Sequence, residues 1–204
     1  MTGSDPDEVQ RVEDLINILE SRYTPPATLG FLNTCTAGDW QFLFTTKRQR
    51  SPPHPNQFRL RELVQTITPS AQKGNLTTTA TWDLAEHTPG HFGTTGTFKV
   101  HSPYTLPVGG ARMVLPVDPP DHMLQITSGP VPTDPSATVG YLFRSLPASL
   151  FDASDHGVDT TYMDATVRMV RYSGATLEGV RDIFMRVGSM EIPTTAVSSS
   201  AQQK

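Results

Sequence analysis

The segment Leu76-Thr77-Thr78-Thr79-Ala80-Thr81-Trp82-Asp83-Leu84 changes character at every residue. Leu76, Ala80, Trp82 and Leu84 share one face with Thr78, while Thr77, Thr79, Thr81 and Asp83 share the other. Only an extended chain sends successive side chains to opposite faces, so this stretch reads as a strand with one buried and one wet side. The run Trp40-Gln41-Phe42-Leu43-Phe44-Thr45-Thr46 has the same period, with Trp40, Phe42 and Phe44 on one side. Comparable segments follow at 58–68, 94–101, 111–117, 122–127, 159–163, 166–172 and 177–187. Most are separated by turn chemistry such as Lys73-Gly74-Asn75, Gly109-Gly110 and Ser173-Gly174. About nine short strands at regular intervals predict a mainly β, antiparallel domain, either a sandwich or a barrel. A parallel sheet is disfavoured, because helical crossovers are missing after residue 23.

A helix is predicted ahead of the strands, over residues 5–22. Asp5 suits its cap, Pro6 its first position, and Glu8 completes an Asp-x-x-Glu box. Val9, Val12, Leu15, Ile16 and Leu19 form an apolar stripe expected to pack on the main body. Pro25-Pro26 ends it. The segment 129–151 opens with prolines and then carries Leu142, Phe143, Leu146, Leu150 and Phe151, which predicts a short helix or a lid. Gln49–Gln57 reads as a loop. The organisation expected is a helix and linker over 1–28, one β domain over 29–192, and a tail without core-forming pattern over 193–204.

Composition narrows the function classes. With 16 Lys+Arg against 20 Asp+Glu in 204 residues, the net charge of −4 argues against a nucleic-acid partner. Cys35 stands alone, which rules out a disulfide framework or a Cys-rich zinc site. No apolar run approaches the ~18 residues of a spanning helix. The Met1–Glu8 start is acidic and reads as neither a secretory signal nor a transit peptide. His87 and His91 stand four apart, but Pro89-Gly90 between them makes a turn rather than a metal-binding helix. Asp155-His156-Gly157 likewise reads as a turn. No nucleophile elbow, phosphate loop or dinucleotide fingerprint is present, so no catalytic residue and no metal ligand is expected. The balance weighs against an enzyme. The aromatic faces of Trp40, Phe42, Phe44 and Trp82 have two readings: a core filled by itself, or the lining of a barrel that holds an apolar ligand.

Three stretches resemble the plastid lipid-associated protein family, the fibrillins. Gly38-Asp39-Trp40-Gln41-Phe42-Leu43-Phe44-Thr45-Thr46 is similar to that family's Gly-x-Trp-x-Leu-x-Tyr-Thr-Thr signature, with Phe44 for Tyr. Val64-Gln65-Thr66-Ile67 followed by Gly74-Asn75 looks like the next strand pair. Thr161-Tyr162-Met163-Asp164 with Val167-Arg168-Met169-Val170-Arg171 resembles the C-terminal Thr-Tyr-Leu-Asp-x-x-Leu-Arg-x-x-Arg signature. The resemblance carries the motif positions Gly38, Trp40, Thr45, Thr46, Tyr162, Asp164, Arg168 and Arg171.

The resemblance implies a lipocalin-like β-barrel of about eight to nine strands. It also implies a thylakoid or plastoglobule setting in a plastid, or the cyanobacterial equivalent. Members are thought to bind or shuttle lipophilic molecules such as carotenoids, prenylquinones or acyl lipids, and some coat or assemble structures. The expectation is therefore non-enzymatic binding or transport of a lipophilic molecule, with a peripheral membrane or a photosynthetic complex as further partner. Alternation then makes Trp40, Phe42, Phe44, Leu76, Ala80, Trp82 and Phe98 the expected lining. Arg168 and Arg171 lie three apart and so point to opposite faces; one of them is expected to close the barrel floor over Trp40. Two rivals remain. One is a bilin lyase or pigment isomerase with a bound bilin and Cys35 as its only thiol. The other is an assembly protein whose barrel is filled by its own side chains.

Overall fold

The structure is a computed structural model that describes residues 6–24, 29–47, 58–84, 93–107, 112–115, 121–131, 134–151, 157–174 and 176–188. The Gln49–Gln57 loop, the His87/His91 pair and the tail after Pro193 lie outside the described residues. Two helices, α1 (Pro6–Arg22) and α2 (Leu29–Thr36), precede three long strands, β1 (Gly38–Thr45), β2 (Phe58–Ser70) and β3 (Lys73–Leu84). Then come β4 (Thr95–Thr105), β5 (Arg112–Val114) and β6 (Asp121–Ser128), the helices α3 (Pro135–Ser145) and α4 (Ala148–Phe151), and β7 (Gly157–Met163), β8 (Val167–Ser173) and β9 (Arg181–Arg186).

Every strand pairing is antiparallel. The order β3-β2-β1-β9-β8-β7-β5-β4 closes on itself through β3–β4, which makes an eight-stranded barrel; β6 adds a ninth strand beside β4. Closure removes the free edges that an open sheet exposes. The expected barrel is thus observed. Its inner face follows the alternation: in β3, Leu76, Thr78, Ala80, Trp82 and Leu84 are all buried.

The first helix packs outside the wall. Ile16 is buried with Met169 and Ile183, flanked by Val12, Leu19, Phe44, Tyr162 and Val167. Leu15 lies off this face and is exposed. Glu20 fixes the helix further by accepting from Arg171 at 2.8 Å and Arg181 at 3.2 Å. The second helix, α2, is an addition to the sequence expectation, which ended the helix and linker at residue 28 and assigned no helix between there and the first strand. Its eight residues hold few helix-period apolar positions, and it is specified by tertiary bonds instead. Asn33 donates to the Ala71 carbonyl at 2.8 Å and accepts from the Tyr104 hydroxyl at 2.8 Å.

Gly74 faces Tyr104 across β3 and β4, and a Cβ there would fall inside the Tyr104 ring. Because Tyr104 is itself held by Asn33, the ring has little freedom to yield. Gly74→Ala should destabilise the protein by about 1–3 kcal/mol, as overpacking does. Urea unfolding measures this; an unchanged midpoint would show that the ring is free to move.

Candidate functional site

Inside the barrel the sheet gathers aromatic, polar and charged side chains away from water. Trp40, Leu76, Ala80, Trp82 and Phe98 converge there in a single buried cluster, with Phe42 packed against it. Phe44 does not join them. The ladder between β1 and β9 slips between Phe42 and Phe44, so Phe42 opposes Phe184 while Phe44 opposes Ile183. An extra residue in one strand reverses the facing of everything after it. Phe44 therefore packs outside the barrel under α1, which corrects its expected place in the lining.

One end of the barrel is a floor built on Trp40. The indole is fully buried, and its Nε1 donates to the Thr36 carbonyl at the end of α2 at 2.8 Å. The cation over its ring is Arg186, at 4.1 Å from the centroid. This corrects the expectation that Arg168 or Arg171 would cover Trp40. Arg186 also donates to the carbonyls of Cys35 (2.6 Å), Ala37 (2.7 Å) and Ala165 (3.2 Å). It thereby ties α2, β1 and the β7–β8 turn together. Gly38 sits beside it with φ of +108°, a conformation that glycine tolerates and other residues do not. Burial pushes the Cys35 thiol up, with Arg186 acting the other way, so the thiol is not activated towards the thiolate.

Arg168 and Arg171 do point to opposite faces. Arg171 lies outside and pairs with Glu20 of α1. Arg168 is 0% exposed and points into the barrel. Its Nη1 donates to Gln65 Oε1 at 2.8 Å, its Nη2 contacts Met113 Sδ at 3.8 Å, and its carbon lies 5.7 Å from the Phe184 ring centre. Burial lowers its pKa to about 10, so it remains a cation at neutral pH.

The remaining motif residues have structural work. Asp164 forms the β7–β8 turn: Oδ1 accepts from the backbone of Thr166 and Val167, each at 2.7 Å, and Oδ2 accepts from the Tyr162 hydroxyl at 2.8 Å. This is the tight turn that the sequence predicts for Asp-Ala at this point. Thr45 Oγ1 accepts from the Lys47 backbone at 3.2 Å, and Thr46 Oγ1 from the Arg181 backbone at 2.9 Å. Both stabilise the end of β1.

Above Arg168 lies a second buried polar group that sequence reading missed. Asp182 is 0% exposed and accepts from the Ser149 hydroxyl of α4 at 2.7 Å. Burial raises its pKa, against the pull of the hydroxyls of Ser149, Thr45 and Tyr172 and of Lys47. Tyr172 is raised well above its ordinary value, first by burial and then by Asp182, so its phenol is neutral. Through Ser149, Asp182 latches α4 to the wall.

The helices α3 and α4 fill the interior from the other side. Leu142, Leu146, Leu150 and Phe151 are buried in the same cluster as Trp40 and Trp82. Phe98 stacks on Phe151 with centroids 5.8 Å apart and meets Phe143 edge-on at 5.1 Å. The expected short helix or lid at 142–151 is thus a helical plug. Between it and the wall lies a void of about 10 Å³, lined in part by Gln65, Leu76, Leu150, Phe151 and Tyr172. That is room for about one water, whereas small-molecule pockets measure ~300–1,000 Å³.

Among the described residues no cluster of three or more His, Cys, Asp or Glu is placed to hold a metal, and no helix is long and apolar enough to cross a membrane. No family model, no curated protein and no solved structure matches the chain.

Two outcomes follow. Arg186→Met keeps apolar contact with Trp40 but loses three charge-assisted bonds to carbonyls; it should cost about 2–4 kcal/mol, against at most about 1 for Arg171→Met on the surface. Comparing the two variants by chemical denaturation checks the ranking, and equal losses would contradict it. For Asp182, the raised folded pKa means that its contribution to stability is fully present below the unfolded value of about 3.9 and is lost as pH rises through the folded value. Asp182→Asn should flatten the stability profile from about pH 4 upward and be no less stable than the parent at neutral pH. Unfolding measured across that range decides it.

Proposed function

We propose that this chain is a non-enzymatic binding protein for a lipophilic molecule, and that the arrangement described is its closed state, with α3 and α4 in the ligand's place. The observation that carries the reading is the identity of the filling. The apolar centre is completed by Leu142, Leu146, Leu150 and Phe151, which belong to a segment outside the sheet. The wall closes without that segment, because all eight ring strands pair with each other. Moving the plug therefore breaks no strand pairing.

Energetics favour an exchange over a simple opening. Withdrawing four large apolar side chains from the core costs about 1.5–3 kcal/mol each. A ligand of similar apolar area regains that burial, so occupancy and plug compete for one space at similar free energy. The latch from Ser149 to Asp182 adds a hydrogen bond to a carboxylate, about 1.5–3 kcal/mol. The resemblance to fibrillins is in keeping with a carotenoid, prenylquinone or acyl lipid as ligand and with a thylakoid or plastoglobule setting.

The filled interior favours a second reading, an assembly protein whose barrel is solid and whose partners meet its outer surface. The two diverge under extraction. Protein taken from its native source, extracted with organic solvent and analysed by absorption and mass spectrometry, should yield a lipophilic compound in stoichiometric amount. Ligand uptake should raise amide exchange over 142–151, and Ser149→Ala should speed uptake. An empty extract, together with no uptake by the purified protein, would leave the assembly reading in possession.

A further inference from the structure

Among the described residues the cation inside the barrel has no counter-ion. Among the described residues no carboxylate lies within 4.0 Å of Arg168, whereas the more exposed Arg59, Arg61, Arg112, Arg171 and Arg181 are paired with carboxylates and Arg186 is bonded to carbonyls. Its Nε makes no hydrogen bond, and its two firm neighbours are an amide oxygen and a thioether. Asp182, the other charge-bearing group inside β8 and β9, is engaged by Ser149 and sits opposite Val170, whereas Arg168 sits opposite Phe184. Burying a guanidinium without a partner anion costs several kcal/mol, so a structure that keeps one has a strong standing attraction for an anion at that point.

The surroundings give that anion a shape. The floor of Trp40, Arg186 and α2 closes the end nearest Arg168, since Trp40 pairs across β1 with both Gln65 and Arg186. On the other side, Gln65 is both the acceptor of Arg168 and part of the lining of the small void, together with Leu150 and Phe151 of α4. Gln65 therefore bridges the guanidinium and the void beside α4. A molecule that entered where α4 now lies would bring its leading end to Arg168 and leave its remainder among Leu76, Phe98 and the aromatic wall.

We propose that Arg168, oriented by Gln65, is a headgroup subsite for the carboxylate of a long-chain amphipathic acid whose hydrocarbon tail takes the space of Leu150 and Phe151. This rests on the carrier reading above and sharpens it from lipophile to lipophilic acid. The free Nε and one Nη offer the parallel pair of donors that a carboxylate accepts in bidentate fashion, which a quinone carbonyl or an ester does not match. Binding is non-covalent and transfers no group.

The test titrates the full, delipidated chain with palmitate, methyl palmitate and β-carotene, following tryptophan fluorescence. The parent should bind palmitate about tenfold or more tightly than its methyl ester. Arg168→Met should reduce palmitate to the ester's affinity and leave the ester unchanged. It should also fold, because an apolar side chain in place of an uncompensated buried cation is neutral or stabilising. Should that variant fail to fold, palmitate labelled with ¹³C at the carboxyl reports on the parent directly. Its resonance should hold the ionised position to a lower pH than free palmitate does. Equal affinity for acid and ester, or a labelled carboxyl that titrates as in solution, overturns the headgroup subsite while the carrier reading stands. Failure to bind any of the three compounds overturns both.

Discussion

A sheet rolled into a ring satisfies its own edges and leaves its two ends unsealed. Everything else in this molecule answers that constraint. At one end, α2 is laid across the opening, and the Trp40 indole is clamped between the Thr36 carbonyl and the Arg186 guanidinium. At the other, α3 and α4 drop apolar side chains into the centre. The two seals differ in kind. The floor is held by directional bonds from Arg186 and Asn33 to backbone carbonyls, which rigid geometry favours. The plug is held by non-directional apolar contact and one hydroxyl-to-carboxylate bond. The first suits a permanent closure and the second a replaceable one.

The interior is polar at chosen depths. Arg168 lies near the floor and Asp182 further along the same pair of strands, each facing inward through the same period of two that buries Val170, Tyr172 and Phe184. Neutral Tyr104 and Tyr172 and the amide of Gln65 provide the company that keeps them from being bare charges in hydrocarbon. Outside, charge is used differently: Arg171 and Arg181 meet Glu20 and set the seat of α1 on the wall.

Much of the fold was legible because a period of two is a strong local signal. The strand at Leu76–Leu84, the helix over 5–22 and the Asp164 turn all declare themselves in short windows of residues. Alternation alone left barrel and sandwich open, because closure is a pairing of β3 with β4 and of β1 with β9, distant in sequence for the latter; the motif resemblance was what pointed to the barrel. Phe44 was misplaced because a bulge between Phe42 and Phe44 is invisible to alternation, which assumes an unbroken ladder. Arg186 was missed in favour of Arg168 or Arg171 for a related reason: only the register Trp40↔Arg186 decides which guanidinium reaches the indole. A short helix or lid over this segment was legible, but its place inside the barrel was not, because the four residues of α4 carry too little periodicity to show which surface they pack on.

The extra strand has a mechanical corollary. β4 spends most of its outer edge, Thr95–His101, on β6, and among the described residues joins β5 only where Thr105 meets Val114. Among the described residues every other lateral joint of the ring is made by three or more residue pairs. Like the last tooth of a zip, this contact is where the cylinder parts with the fewest bonds sacrificed, and β6 hangs beside it as a flap already fastened along one margin.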